Sequence, residues 1–574
     1  MPENLLSKIV FAPRKLLAGH RLQQLLSNEQ ALVPYAVLGI VTGIVTGLII
    51  ILFRVLIDVC TTFWLDQYTG VDFKELTDYR YFLVPTVGAF LLGLAMQQLR
   101  PQDRTTGLPY TVMRMHNFHS QFPVKNSLVQ FFMGAFALMT GQSGGREGPA
   151  IHLGGASGSA IGYYFGLPDN SRRILVGCGC AAAIAASFNT PIAGVIFAME
   201  VVIMDYTIAG FIPIILSAVA ATVVARLFFG AEQFITPPEL ATIELVELSW
   251  VVLLSLSIAI ASAAFVQIQK FSDRYIAVSL WLRFTIAGAL TGTCALLAPQ
   301  ILGVSYDSLN DAISGNLLWH SLIIIAVLKL ITAAVTSGVG MPIGNIGSSL
   351  VIGSCIGSLF GVFLKTIDPG QHESIELYAL LGMGAMMGAL LNAPLAALMT
   401  LLELTNNTGI LFPAMLVIVT ANICHTAVLK QPSSIFTSLN QRHITLRRDP
   451  VSKALSRAGV AAFFSTDFVQ SGRVINAEQM RQLNNRTLII NVDETAYVIE
   501  KLHSPKSPVT TDLLTLPQIK RCSMIDDKAS LLRARDELAK TASDFICITQ
   551  QGRIIGLLSL ADIERYLFTP PKQE

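Results

Sequence analysis

Apolar residues run along this chain in long uninterrupted blocks. Stretches without Asp, Glu, Lys or Arg cover 32–53, 126–145, 174–199, 330–364, 377–402 and 404–429, and each is as long as the roughly 20 residues that carry a helix across a bilayer. Lipid offers no partner to a backbone amide, so these blocks predict α-helices. Past Leu446 the pattern changes. Charges recur there, and short runs such as RTLIINV and DFICIT predict strands of a soluble module. The fold class is therefore an all-α polytopic membrane protein followed by a soluble α/β domain. The expected divisions are a cytoplasmic segment 1–30, membrane parts 31–230 and 231–440, and tail lobes 446–504 and 505–574.

The membrane part divides in two because it repeats. GCAAAIAASFNTPIAGVIFAME (179–200) and GMGAMMGALLNAPLAALMTLLE (382–403) match at a constant offset of 203 residues. Gly179 matches Gly382, Asn189 matches Asn392, Pro191 matches Pro394, Ala193 matches Ala396 and Glu200 matches Glu403. Proline suits the first position of a helix, where its missing N–H would have no partner anyway, so each copy predicts a helix that breaks and restarts. Interrupted helices at matching places in two halves point to a transport site near mid-bilayer. Hydropathy leaves open whether the halves are parallel or inverted.

Composition agrees with this picture and narrows it. The 574 residues are 52% hydrophobic and 14% charged, with a mean hydropathy of +0.57, outside the range of a soluble domain. A net charge of +2 argues against nucleic acid as a partner. Lys8, Arg14, Lys15 and Arg21 precede the first apolar block without a small-residue cleavage site, which predicts a retained leader. The eight cysteines form neither a disulfide framework nor a metal-ligand spacing. Cys178 and Cys180 read as helix packing, and no metal or obligatory cofactor is expected.

The chemistry concentrates in GQSGGREGPAIHLGG (141–155), where Arg146 and Glu147 are the only charged residues between Asn126 and Pro168. An intramembrane carboxylate is either paired or functional. Adjacent residues on a helix do not face each other, which disfavours a static Arg146–Glu147 pair. Glycine-rich breaks recur at TTGLP (105–109) and SGVGMPIGNIGS (337–348). A helix that starts at such a break presents N–H groups and a positive dipole end, a combination that favours an anion; close packing through small residues is the other reading. His152 reads as a hydrogen-bonded bundle histidine rather than a proton relay. Arg54 and Asp58 have the spacing of an i,i+4 pair. Glu200 and Glu403 read as structural carboxylates, bonded to nearby backbone or solvated at a helix end.

These residues carry a resemblance. GREGP (145–149), NTPIAGVIFAMEV (189–201), TTGLP and the paired tail resemble the CLC family of chloride channels and proton-coupled chloride exchangers over nearly the whole chain. The resemblance implies a homodimer in the lipid membrane, with one chloride pathway in each subunit built from two inverted halves. It makes Glu147 the gate, a carboxylate that competes with the anion for one cradle. Gly148, next in the motif, belongs to the implied anion-binding set, as does Arg146, which raises the positive potential at the outer mouth. Thr106 stands where the family has a serine hydroxyl facing the ion, and Asn345 and Ile346 supply backbone N–H groups. Ser434 or Phe436 takes the place of the family's inner tyrosine. Family exchangers carry a second glutamate where this chain has Val201, which cannot hold a proton. The reading is therefore a gated chloride channel, with proton-coupled chloride exchange as the alternative.

The tail resembles a pair of CBS domains, the first of them degenerate. GLLSLAD (556–562) implies an adenine-nucleotide site at Gly556, Ser559 and Asp562, with a purely structural dimerising tail as the alternative. No H-E-x-x-H string occurs and no G-x-S-x-G pattern is placed as a nucleophile, which argues against an intramembrane enzyme. A receptor would leave the repeated broken helices unexplained. The expected location is a bacterial inner membrane, with the tail in the cytoplasm.

Overall fold

The computed structural model describes residues 32–65, 73, 79–206, 208–230, 248–274, 278–367, 375–447, 449–471, 474–475, 487–492, 495–499, 511–512, 519–541 and 543–568. The expected leader 1–30 lies outside them, as does most of the lead-in 507–519 to the second tail lobe. The chain forms two compact units. The larger holds 36–161 and 174–446; the smaller includes 162–173 and the tail from 447.

The first half of the helical part runs α1 (Leu32–Leu65), α2 (Arg80–Gln97), α3 (Gly107–Asn117), α4 (Val124–Met139), α5 (Glu147–Tyr164), α6 (Asp169–Phe188), α7 (Pro191–Phe197) and α8 (Ile208–Phe229). The second runs α9 (Leu248–Asp273), α10 (Leu280–Leu297), α11 (Tyr306–Ile313), α12 (Trp319–Gly338), α13 (Ile346–Ile367), α14 (Ile375–Leu391), α15 (Pro394–Thr405) and α16 (Leu411–Ile423). A last short helix, α17 (Ser434–Gln441), follows. Among the described residues, nine helical stretches are long and apolar enough to cross a membrane.

Several apolar blocks hold two helices rather than one. The block 330–364 contains the end of α12 and most of α13, parted around Gly340 at φ +81°. Asn189 (φ +61°) and Asn392 (φ +55°) turn the chain just before the prolines that start α7 and α15. Among non-glycine residues, asparagine is one of the few that enter this left-handed region readily, which accounts for its presence in both copies. The matched glycines have a packing cause. A Cβ on Gly179 would stand 1.8 Å from the Gly154 carbonyl oxygen, and one on Gly382 would stand 2.3 Å from that of Gly353. In each half this contact lets two helices meet backbone to backbone.

The halves hold each other reciprocally. The Glu200 carboxylate accepts from Leu395 N–H (3.2 Å) and Ala396 N–H (2.7 Å) at the start of α15. Glu403 accepts from Ile192 N–H (2.8 Å) and Ala193 N–H (2.7 Å) at the start of α7. Each glutamate is thus the N-terminal cap of the other half's Pro-led helix, where a negative charge also meets the positive dipole end. Gly145 and Gly344 exchange two backbone hydrogen bonds, both 2.7 Å. Contacts in which i meets j and j meets i are those of a two-fold relation.

In the smaller unit, strands β1 (Phe468–Ser471), β2 (Val474–Ile475), β3 (Thr487–Val492), β4 (Thr495–Ile499), β5 (Thr511–Asp512), β6 (Lys520–Asp526), β7 (Phe545–Gln550) and β8 (Arg553–Ser559) accompany α18 (Pro450–Arg457), α19 (Leu531–Thr541) and α20 (Leu560–Phe568). Six strands form one sheet in the order β1-β3-β4-β6-β7-β8. The second lobe follows its sequence pattern of a helix, two strands joined at Gln551–Gly552, and a closing helix. Its core gathers Leu531, Leu538, Ile546, Ile548, Leu558 and Ile563. Asp169, buried at 5% exposure, joins this unit: its N–H donates to the Lys528 carbonyl, and its carboxylate pairs with Arg172 (3.1 Å) and Arg533 (3.7 Å).

Candidate functional site

Helices α5 and α13 begin side by side because the Gly145–Gly344 pair ties their leading loops together. The approach is close: a Cβ on Gly145 would stand 1.9 Å from Glu147 Oε2, the tip of a flexible side chain, and one on Gly344 would stand 2.5 Å from the Gly148 backbone nitrogen. Glu147 opens α5 and is fully buried. Its Oε2 accepts from Gly347 N–H at 3.2 Å, at the start of α13, and its Oε1 accepts from the Tyr306 hydroxyl at the start of α11. A buried carboxylate without such donors would cost several kcal/mol, on the order of 5.

Beside the glycine pair lies a cavity whose lining includes Thr106, Gly148, Gly344, Asn345, Ile346, Ser434 and Arg442. Thr106 is the N-cap of α3 but makes no side-chain cap bond. Asn345 Nδ2 donates to Ser337 Oγ and Ser434 Oγ, both 2.8 Å. Ser434 in turn donates to Gln269 Oε1 (2.8 Å), and Gln269 Nε2 donates to Ser434 O (3.1 Å) and Ser438 Oγ (2.8 Å). The lining thus sets hydroxyls, the Asn345 amide and the Arg442 guanidinium among apolar side chains such as Leu108, Met341 and Leu391, and carries no carboxylate. Chemically this suits a small, partly dehydrated anion.

Comparison with known proteins decides the family. The model described as "Voltage gated chloride channel" matches residues 88–426, more than half of the chain. The chain belongs to this family. A "Putative chloride channel protein ClcB-like" from Ralstonia nicotianae is 27% identical over 67% of this chain and 92% of its own length. An "H(+)/Cl(-) exchange transporter ClcA" from Vibrio campbellii is 30% identical over 63% of this chain and 78% of its own. Among solved structures, a slow cyanobacterial Cl-/H+ antiporter shares the fold at a TM-score of 0.63, with 20% identity over 71% of this chain and 97% of its own. A eukaryotic CLC transporter shares it at 0.62, with 14% identity over 93% and 98%. As a CLC protein, the chain is a multi-pass membrane protein with the fold of this family's transporters.

The remaining expected residues sort around these two places in the CLC fold. Arg146 stands on the Glu147 side, with its guanidinium 5.1 Å from the centre of the Tyr306 ring and donating to the Ser187 carbonyl at 3.0 Å; it does not line the cavity. Phe436, the bulkier candidate for the inner constriction, does not line it either. His152 Nδ1 accepts from Gly107 N–H at 3.2 Å while its ring stacks on Tyr110, centroids 4.9 Å apart. That is the bundle histidine of the sequence reading. Arg54 and Asp58 lie 3.7 Å apart. Cys178, Cys180 and Val201 are packed side chains in the core.

In the tail, Ser559 Oγ donates to Asp562 Oδ2 at 2.6 Å and accepts from Asp562 N–H at 3.1 Å. The pair caps α20, and its polar atoms are engaged with each other. A Cβ on Gly556 would meet the Phe464 ring at 2.0 Å. An aromatic side chain of the protein itself therefore lies against the glycine expected to admit a nucleotide.

Sequence reasoning missed Tyr306, Gly347, Gln269 and Lys329. Lys329 is fully buried and donates to the carbonyls of Ile301 (2.9 Å) and Gly303 (2.7 Å) and to Ser305 Oγ (2.9 Å). A signal existed for it: between Asp311 and Lys365 it is the only Asp, Glu, Lys or Arg, and a lone charge in an apolar run marks a site as surely for lysine as for glutamate.

Proposed function

We propose that this CLC protein exchanges a small anion, chloride first, for protons, with Glu147 as gate and proton carrier. The observation that carries the reading is the position of the Glu147 carboxylate. It is buried at the paired starts of α5 and α13, one residue from Gly148 in the wall of a cavity that offers hydroxyls and the Arg442 guanidinium and no carboxylate. As an anion it occupies the place a halide would take; protonation removes the charge that holds it there and frees the place. The relatives named as exchangers support this choice over the channel first read from the sequence. In this reading Thr106, Asn345, Ile346 and Ser434 line the anion's path, Arg146 attracts the anion, and two copies of the chain assemble as a homodimer.

A gated channel is the second reading, and Val201 favours it, because a valine gives the proton no second foothold. A reversal-potential measurement in a chloride gradient, with and without a proton gradient, separates the two. An exchanger's potential moves with the proton gradient; a potential fixed by chloride alone refutes exchange. Glu147→Gln in liposomes raises anion flux about tenfold or more and abolishes its pH dependence. Unchanged flux and pH dependence refute the gate itself.

A further inference from the structure

The two-fold relation between the halves puts an unequal pair of residues around the two central glycines. Residues 199 apart correspond around the glycine pair: Gly145 with Gly344, Gly148 with Gly347, and Glu147 with Ile346. The same offset relates Gly107, the first residue of α3, to Tyr306, the first residue of α11. It also relates Gln130 of α4 to Lys329 of α12. Gln130 accepts from Gly107 N–H at 2.7 Å and donates to the Pro342 carbonyl at 3.1 Å. Lys329 holds the loop 301–305 with three hydrogen bonds. Each residue therefore fixes the lead into a short helix, but where one helix opens on a bare glycine beside the cavity, the other opens on a phenol.

We propose that the Tyr306 hydroxyl is a latch that detains the Glu147 carboxylate. The inference rests on the reading of Glu147 as the gate and names the side chain that regulates it. The phenol is held in place rather than swinging freely: Ser305 before it takes φ +63°, and the Phe188 ring meets it edge-on with centroids 6.3 Å apart. The Arg146 guanidinium covers its face, and Lys329 fixes the preceding loop. A neutral hydroxyl gives one hydrogen bond to a carboxylate and a weaker one to a carboxylic acid, so the latch acts on the charged gate and lets the protonated gate go. The charged and titratable groups around the gate are Tyr306, which donates to it, Arg146, which lies over the Tyr306 ring, and Lys329, which holds Ser305; beyond them Asp58 interacts with Arg146 and Cys355 with Lys329. Tyr306 is the one that touches the carboxylate through a side-chain hydroxyl.

The test is anion flux from liposomes containing the full chain, measured against pH, for Tyr306→Phe alone and in a Glu147→Gln background. Tyr306→Phe keeps the ring and raises flux at neutral pH about tenfold, the lower end for a hydrogen bond to a charged group. It also moves half-maximal flux to higher pH, and it changes nothing when residue 147 is Gln. Fluorinated tyrosine at 306 keeps the shape with a stronger donor and moves the profile the opposite way. If Glu147→Gln changes flux but Tyr306→Phe and fluorotyrosine leave the profile unmoved, the latch is wrong while the gate stands. An equal effect of Tyr306→Phe in both backgrounds also overturns the latch. If Glu147→Gln itself changes nothing, the gate reading falls first.

Discussion

The two halves of the membrane part share a scaffold and differ in what they place on it. The first half brings Glu147 to the start of α5, and the second brings Ile346 to the start of α13. Arg146 is matched by Asn345, and Gly107 by Tyr306. One face of the glycine pair therefore carries a carboxylate held by a phenol, and the other an amide and hydroxyl network around Ser434. Symmetry supplies the converging helix starts, and departures from symmetry supply direction. A symmetric pair of carboxylates would repel the anion from both sides; a symmetric pair of neutral residues would leave nothing to gate.

The comparison is most severely tested by putting a charge on the neutral side. Asn345→Asp places a carboxylate in the cavity wall, and like charges about 4 Å apart repel by about 4 kcal/mol at an effective dielectric of 20. Chloride binding measured by calorimetry then weakens about a hundredfold or more, whereas Asn345→Ala loses only a few-fold. Equal affinity in the Asp variant would mean that the anion passes elsewhere.

Next in size come the two central glycines. In Gly145→Ala the new methyl meets the tip of a flexible carboxylate, so the gate is displaced and flux rises several-fold while the protein still assembles. In Gly344→Ala it meets backbone at 2.5 Å, and the strain costs about 1–3 kcal/mol, read as a lower thermal unfolding temperature. Matching phenotypes from the two would deny the asymmetry. A smaller effect is expected at the reciprocal caps: Glu200→Gln and Glu403→Gln each cost about 1 kcal/mol. Here the halves behave alike, and a large difference between the two variants would contradict the two-fold.

The smallest effect lies in the tail, away from this symmetry. Asp449 caps α18, and the Ser452 N–H, 2.8 Å from its Oδ2, holds this carboxyl below the usual carboxylate range. A depressed folded value adds stability that is complete above the unfolded value of about 3.9 and is lost as pH falls through the folded value. Asp449→Ala therefore costs about 0.5 kcal/mol at neutral pH, the low end for an exposed cap, and progressively less in acid, as denaturant titrations at several pH values will measure.

Much of this was legible in the sequence because membrane chemistry is conspicuous there. A lone acid in an apolar block drew attention to Glu147, and words repeated at one offset exposed the Pro-led helices and the capping glutamates. Thr106, Asn345, Ile346 and Ser434, chosen by resemblance, line one cavity. Lys329 escapes because it sits one residue before the uncharged block 330–364 and reads as that block's boundary. Tyr306 escapes because a single aromatic in the polar stretch VSYDSLND (304–311) has no pattern of its own. Its correspondence with Gly107 lies at an offset of 199, not 203. The shift of four residues is accounted for by length: α5 has 18 residues and α13 has 22. Four residues are about one helical turn, so the extra length preserves the face on which later residues fall while hiding the register from a fixed-offset search.

The crossed glutamates constrain how such a chain can be made. Until Leu395 and Ala396 emerge from the ribosome, Glu200 has no amides to receive it, and the start of α7 waits as long for Glu403. An N-terminal fragment ending at Gly230 would enter the bilayer with both ends of that exchange unanswered. Produced together with a second fragment beginning at Leu248, it gains the missing partners in trans. Biogenesis of the membrane part is thus a joining of two unfinished pieces, complete only when the second supplies Leu395, Ala396 and Glu403.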